Sequence, residues 1–192
     1  MTIRKVLYYP DERLRQVAEP VEEITEEIKE LIEDLKETCQ AYRADGLAAT
    51  QIGSNKRIFV TNINGDLKVY INPKLETEGE MVVNKEGCLS LPSVLEPISR
   101  PEEVTVIFLN EDGEEQVLNM VEYDAVAVQH ENDHLDGKLM VDHMSRLQRK
   151  IALKKLQKFM KQRQVKTNAS QPSKRAAARK ERKRQKKHRK RA

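Results

Sequence analysis

His130-Glu131-Asn132-Asp133-His134 is the stretch around which the chain is organised. Val126, Ala127 and Val128 lead into it and Leu135 follows, so the segment reads as helix. Residues four apart on a helix share a face, which lets His130 and His134 offer two imidazole nitrogens to one metal ion. Glu131 is turned away from direct ligation but lies close enough to act on a metal-bound water. Two His at i and i+4 with an adjacent Glu is the signature of a metal-dependent hydrolase. The plainer alternative is a solvated helix face that happens to carry two His. The motif lacks a third ligand, and Cys88 in Lys85-Glu86-Gly87-Cys88-Leu89-Ser90-Leu91-Pro92 can supply it. Gly87 and Pro92 place that thiol at a strand end or turn. Cys, His and His would leave a fourth position open, as catalytic sites do; a buried structural Cys is the alternative.

Working outward, Ile24, Ile28, Leu31, Ile32, Leu35, Thr38, Cys39 and Tyr42 recur at helical spacing. They predict a helix from about Thr25 to Arg43, with Thr25 as N-cap and Cys39 as a core thiol. Before it, Ile3 to Tyr9 suits a strand or extended arm, and Asp11 to Arg15 one helical turn. Asp45-Gly46-Leu47-Ala48-Ala49-Thr50-Gln51-Ile52-Gly53 is small and nearly uncharged, which suits backbone in close approach to something else. Arg57 to Thr61 and Leu67 to Ile71 read as strands joined by Asn64-Gly65, a type I′ hairpin signal. Asn72-Pro73 reads as a turn, with short strands at Lys74 to Thr77 and Met81 to Asn84. Val104 to Leu109 and Gln116 to Met120 make a second hairpin about Asp112-Gly113. Asp124 is placed to cap the HExxH helix and Asp136-Gly137 to end it. Ser145 caps a last amphipathic helix before a polar break at Asn168 to Ser173. The class expected is α+β: antiparallel strands packed around a central HExxH metal-binding helix, with an N-terminal helix and a C-terminal helix plus basic tail.

The charge is split. From Arg146 onward the chain holds 21 of its 35 Lys and Arg but one of its 31 acidic residues, net +20. That leaves 14 basic and 30 acidic residues, net −16, on residues 1–145. A basic block on an acidic body points to nucleic acid or another polyanion; the alternative is a solvated tail that adds only solubility. Two cysteines with no visible secretory signal fit a reducing compartment, and no apolar run is long enough for a membrane span.

Three motifs, in this order, resemble those of the peptide deformylases: Gly46-Leu47-Ala48-Ala49-Thr50-Gln51, Glu86-Gly87-Cys88-Leu89-Ser90 and Gln129-His130-Glu131-Asn132-Asp133-His134-Leu135. The resemblance covers about residues 1–165, implying a catalytic domain there and a basic tail, disordered or conditionally helical, over 166–192. It implies that Cys88, His130 and His134 bind one divalent ion, Fe2+ in the cell, replaceable by Zn2+, Ni2+ or Co2+. Glu131 would take a proton from the attacking water and pass it to the leaving amine. Gln51 and the backbone N–H of Leu89 would receive the oxyanion, and formate would leave the formylmethionine of a nascent polypeptide. Asp45, Gly46, Tyr123 and Val126 would contact substrate. Asp133 would orient a ligating His, and Glu86 and Arg100 would form a supporting ion pair, worth little if it lies at the surface. The resemblance further implies ribosome or rRNA contact through the basic segment and no membrane. The setting would be the cytoplasm of a bacterium or phage-infected cell, or an organelle. The chain departs from the family at Asp45, where an apolar residue is usual, at Tyr123, often Leu, and at Leu95, Arg in some members. A carboxylate at 45 would narrow or repolarise the methionine pocket.

Two other readings compete. A zincin-type metallopeptidase would use the same HExxH stretch but takes its third ligand downstream, where His143 is the only His before the tail. An RNA-binding module on an inactive fold would not need Cys88, Gln51 and Glu131 together.

Overall fold

The computed structural model describes residues 2–170, with side chains to residue 165. One antiparallel sheet runs in sequential order through β1 (Gly46–Ala48), β2 (Ile58–Ile63), β3 (Asp66–Gly87), β4 (Leu95–Leu109) and β5 (Glu115–Val121). Three helices accompany it: α1 (Glu26–Tyr42), α2 (Glu122–Leu135) and α3 (Arg146–Ser170). The class is α+β, as expected, and the HExxH stretch lies in α2.

Burial explains the strand patterns. Ile58 to Thr61 is buried at every residue because both faces of the sheet are covered there. On one face Ile58, Val60, Val69 and Ile71 pack with Ile28, Ile32, Leu35 and Cys39 of α1. On the other, Phe59 and Tyr70 join Val104, Val106 and Phe108 and the α2 residues Ala125, Val128 and Leu135. The Phe59–Tyr70 and Tyr70–Phe108 ring centroids are each 4.5 Å apart, a separation at which aromatic pairs attract beyond their area burial. Further along β4 and β5 only one face is covered, so Val104, Val106 and Phe108 point in while Val117 and Val121 stay exposed. The helix α2 is thus enclosed on most sides, which is why it carries apolar and polar buried residues together rather than an amphipathic stripe.

Loops fix its ends. Asn64 (φ 54°) and Gly65 (φ 84°) make the expected β2–β3 turn with two left-handed residues. Arg57 donates to Asp136 and Asn132 (2.9 and 3.1 Å) at the C-terminal end of α2. Gly137 (φ 67°) follows; a Cβ there would meet the Arg15 carbonyl oxygen at 2.5 Å. Residues 3–9 form the extended arm, not a strand: Leu7 N–H bonds the Gln51 carbonyl (2.8 Å) and Tyr9 N–H the Ser90 carbonyl (3.0 Å).

Three local expectations are corrected. Asn72-Pro73 is not a turn; the separate strands from Leu67 to Asn84 are one strand, β3, and the sheet absorbs the interruption as a register shift between Ile71 and Lys74. Asn72 (φ 53°) instead turns its side chain onto the Val21 backbone, accepting from N–H (2.8 Å) and donating to C=O (2.7 Å). Asp124 is not the cap of α2, which starts at Glu122 and leaves Asp124 in the first turn. Thr25 is the N-cap of α1, as expected, though its side chain makes no cap bond. Asn168 to Ser170 of the expected polar break are helical, because α3 continues through Ser170, and the rest of that stretch lies outside the described residues. Ser145 does cap α3: its Oγ accepts from Gln148 N–H (3.3 Å) while Gln148 Oε1 accepts from Ser145 N–H (3.0 Å). The basic run Arg175 to Arg191 lies outside the described residues.

Candidate metal centre and active site

The site forms where α2, the end of β3 and the turn after β1 meet. One turn of α2 brings His130 and His134 onto the same face, with ring centroids 5.1 Å apart. Cys88, just past the end of β3, lies opposite, its Sγ 3.3 Å from His134 Nε2. One ligand atom each from Cys88, His130 and His134 lies within 4.8 Å of the other two. His143, the downstream candidate, is absent from this group; its Nε2 sits 2.7 Å from Asp133 Oδ2.

His130 is held from behind. Glu86 accepts from His130 Nδ1 (2.8 Å), so the other ring nitrogen is left for the site. Arg100 donates to both oxygens of Glu86 (2.5 and 3.0 Å) and to Asp133 (2.8 Å). Glu86 and Arg100 are 5% and 4% exposed, so this is a buried network, not a surface pair. Asp133 therefore reaches the site through Arg100 and Glu86, and the carboxylate that orients a His is Glu86. Sequence reasoning missed that role, although Glu86 stands two residues from Cys88.

Electrostatics follow from burial and pairing. Burial opposes ionisation of Cys88, but the neighbouring His134 and His130 prevail and hold its thiol well below the usual range. Burial likewise opposes Glu86, whose bonds from His130 and Arg100 lower it, and Asp133, which His143 and Arg100 bring down to about 2. Glu131 moves the other way: burial pushes it up to about 7. Its Oε2 and His134 Nδ1 are buried without a hydrogen-bond partner. A thiolate, two imidazoles and an unpaired buried carboxylate oxygen suit a borderline metal ion with a proton acceptor beside it.

Gln51 sits in the 3-10 turn Ala49–Ile52. Its Oε1 accepts from Ala48 N–H (2.8 Å), which turns Nε2 toward Ser90 Oγ (3.2 Å) and Cys88 Sγ (3.6 Å). Gly46 passes so close that a Cβ would meet Glu131 Oε1 at 2.5 Å. A cavity of about 470 Å³ opens over these groups. All the expected site residues except His134 line it: Asp45, Gly46, Gln51, Cys88, Leu89, Tyr123, Val126, His130 and Glu131. Arg43, Lys85, Val94 and Ala127 also line it and were not singled out, and Leu95, one of the departures from the family, lines it too.

An antiparallel α+β body with helix-borne imidazoles and a thiol converging at an open cavity has the architecture of a metallohydrolase. The model of the polypeptide deformylase family matches residues 3–150. The peptide deformylase of Teredinibacter turnerae is 42% identical over 167 residues, spanning 85% of this chain and 99% of that one. The crystal structure of a peptide deformylase from Legionella pneumophila superposes with a TM-score of 0.82 at 40% identity, covering 89% of this chain and 100% of that one. That of Ehrlichia chaffeensis in complex with actinonin gives 0.78 at 36% identity, over 82% and 98%. The chain belongs to the peptide deformylase family, enzymes that remove the formyl group from N-terminal formylmethionine with the help of a metal ion.

Proposed function

We propose that this chain hydrolyses the formyl group from the N-terminal formylmethionine of nascent polypeptides and releases formate. The observation that carries the reading is the convergence of Cys88, His130 and His134 at a cavity that Glu131 and Gln51 also face. Those three residues hold one divalent ion, Fe2+ in the cell, with Zn2+, Ni2+ or Co2+ able to take its place. The ion supplies Lewis acidity. Glu131 accepts a proton from the attacking water and returns it to the amine nitrogen as the C–N bond breaks; an acid near pKa 7 is matched to that exchange. The water's oxygen becomes part of formate, and the peptide leaves with a free amino terminus. Gln51 Nε2 and the Leu89 backbone N–H donate to the oxyanion. Asp45 and Gly46 align the peptide, and Tyr123 and Val126 bound the pocket for its first side chain.

Residues 1–165 form the catalytic unit, and the basic segment 166–192 extends the positive charge of α3. Its net charge supports a role as an electrostatic tether to ribosomal RNA. Among the described residues no helix is long and apolar enough to cross a membrane, and a cytoplasmic setting suits a substrate that emerges from the ribosome. Glu131→Ala tests the assignment: bound metal should stay at wild-type stoichiometry while formate release falls by several orders of magnitude. Metal loss, or retained turnover, would overturn the role given to Glu131.

A further inference from the structure

Two walls of the cavity meet at its mouth. Asp45 stands on the segment between α1 and β1, and Tyr123 on the first turn of α2, 78 residues away in sequence, yet Tyr123 Oη donates a 2.6 Å hydrogen bond to Asp45 Oδ2. That length falls in the charge-assisted range. Both positions are set by the backbone. Arg43 (φ 52°) ends α1 in a left-handed turn, with Arg43 N–H on the Gln40 carbonyl and Ala44 N–H on the Cys39 carbonyl (3.0 Å each). The Asp45 carbonyl then accepts from Asn62 N–H (2.8 Å), fixing the residue against β2. On the opposite wall Glu122 (φ 53°) makes the left-handed turn from β5 into α2 that delivers Tyr123. Non-glycine residues rarely adopt that conformation, and it concentrates at functional positions. Below Tyr123 on the same helix, Val126, Ala127 and His130 line the cavity.

We propose that Asp45 and Tyr123 form a hydrogen-bonded latch across the cavity mouth, which makes the enzyme select slim, unbranched first side chains over wide ones. The inference rests on the deformylase assignment and names two residues that set its specificity. The latch fixes the separation of the two walls. A methionine side chain passes beneath it, whereas an aromatic ring must part the walls and break the bond. Burial, and next the bond to Asp45, hold the Tyr123 phenol above its ordinary range, as a donor locked to a carboxylate should be.

The test compares kcat/KM for formyl-Met-Ala-Ser and formyl-Phe-Ala-Ser in wild type, Tyr123→Phe, Asp45→Ala and the double variant. Each single change should lower the Met/Phe ratio by about threefold to thirtyfold, the range for a partly exposed charge-assisted bond. The double variant should lower it no further than either single one, since both remove the same interaction. An unchanged ratio, or effects that multiply, would overturn the latch. The phenol titration, read as the ultraviolet difference between wild type and Tyr123→Phe, gives a measure independent of turnover. Its alkaline shift should shrink in Asp45→Ala, leaving the part that burial contributes, and identical titration with and without Asp45 would overturn the latch. If wild type released no formate from either peptide, the deformylase assignment would fail and the titration would still decide the latch.

Discussion

Gly46→Ala would place a methyl group against Glu131, the carboxylate proposed to move the proton. The new Cβ would lie 2.5 Å from Glu131 Oε1, 2.7 Å from its Cγ and 2.8 Å from its Cδ, where ordinary contact is 3.4–4 Å. Three atoms of one side chain are in the way, so no single rotation relieves the contact, and Glu131 must retreat by about 1 Å. Glu131 is itself buried and held within α2, so the displacement acts on the geometry of the proton transfer. A misplacement of that size costs about 10²-fold in rate, or about 2.7 kcal/mol of transition-state stabilisation. Overpacking should also lower stability by about 1–3 kcal/mol. The assay is formate release by the metal-loaded variant, with metal content and a urea melt on the same preparation. We expect kcat to fall about a hundredfold, with the metal retained and the fold intact. Wild-type kcat in a folded Gly46→Ala variant would refute the placement of Glu131 against the β1 backbone.

Three further outcomes follow from particular contacts. Arg100→Met should destabilise the protein by about 3–5 kcal/mol in urea unfolding, because Glu86 and Asp133 would be left as buried carboxylates without their shared cation; a loss under 1 kcal/mol would contradict that. Burial opposes ionisation of Asp34, but the bonds from Arg4 Nε (2.6 Å) and Thr2 N–H (2.8 Å) hold its carboxyl below 3.8. A depressed folded-state pKa stabilises above the unfolded value and loses that contribution as pH falls through the folded one. Asp34→Asn should therefore cost about 1 kcal/mol at pH 7, a modest figure because Arg4 is half exposed, and the deficit should close below pH 3.8. A deficit constant down to pH 2 would exclude an electrostatic origin. Removing the residues after Asn168 should leave turnover of a free formyl-tripeptide unchanged while weakening ribosome binding tenfold or more at low salt, with a shallower salt dependence; equal affinities between about 50 and 200 mM salt would exclude the tether.

What the sequence made legible was what local geometry dictates. His130 and His134 declared their shared face through helical spacing, and Asn64-Gly65 declared its hairpin because few other pairs accept two left-handed residues. The length of β3 was hidden, because Asn72-Pro73 looks like punctuation until the neighbouring strand absorbs it as a register shift. Glu86 and Arg100 were expected as a pair and Asp133 as a support for a His, but their union in one buried network was hidden, since it depends on strands and a helix distant in sequence. Asp45 and Tyr123 were each visible as unusual pocket residues, but their mutual bond spans 78 positions and no local pattern encodes it.

Deformylation and peptidase action at this cavity would release different products from one peptide. The direct measurement is the product analysis of formyl-Met-Ala-Ser incubated with the Fe2+-loaded enzyme under anaerobic conditions. Each turnover should yield one formate and one intact Met-Ala-Ser with a free amino terminus. Absence of formate, or release of free amino acids from cleavage within the tripeptide, would contradict the deformylase assignment.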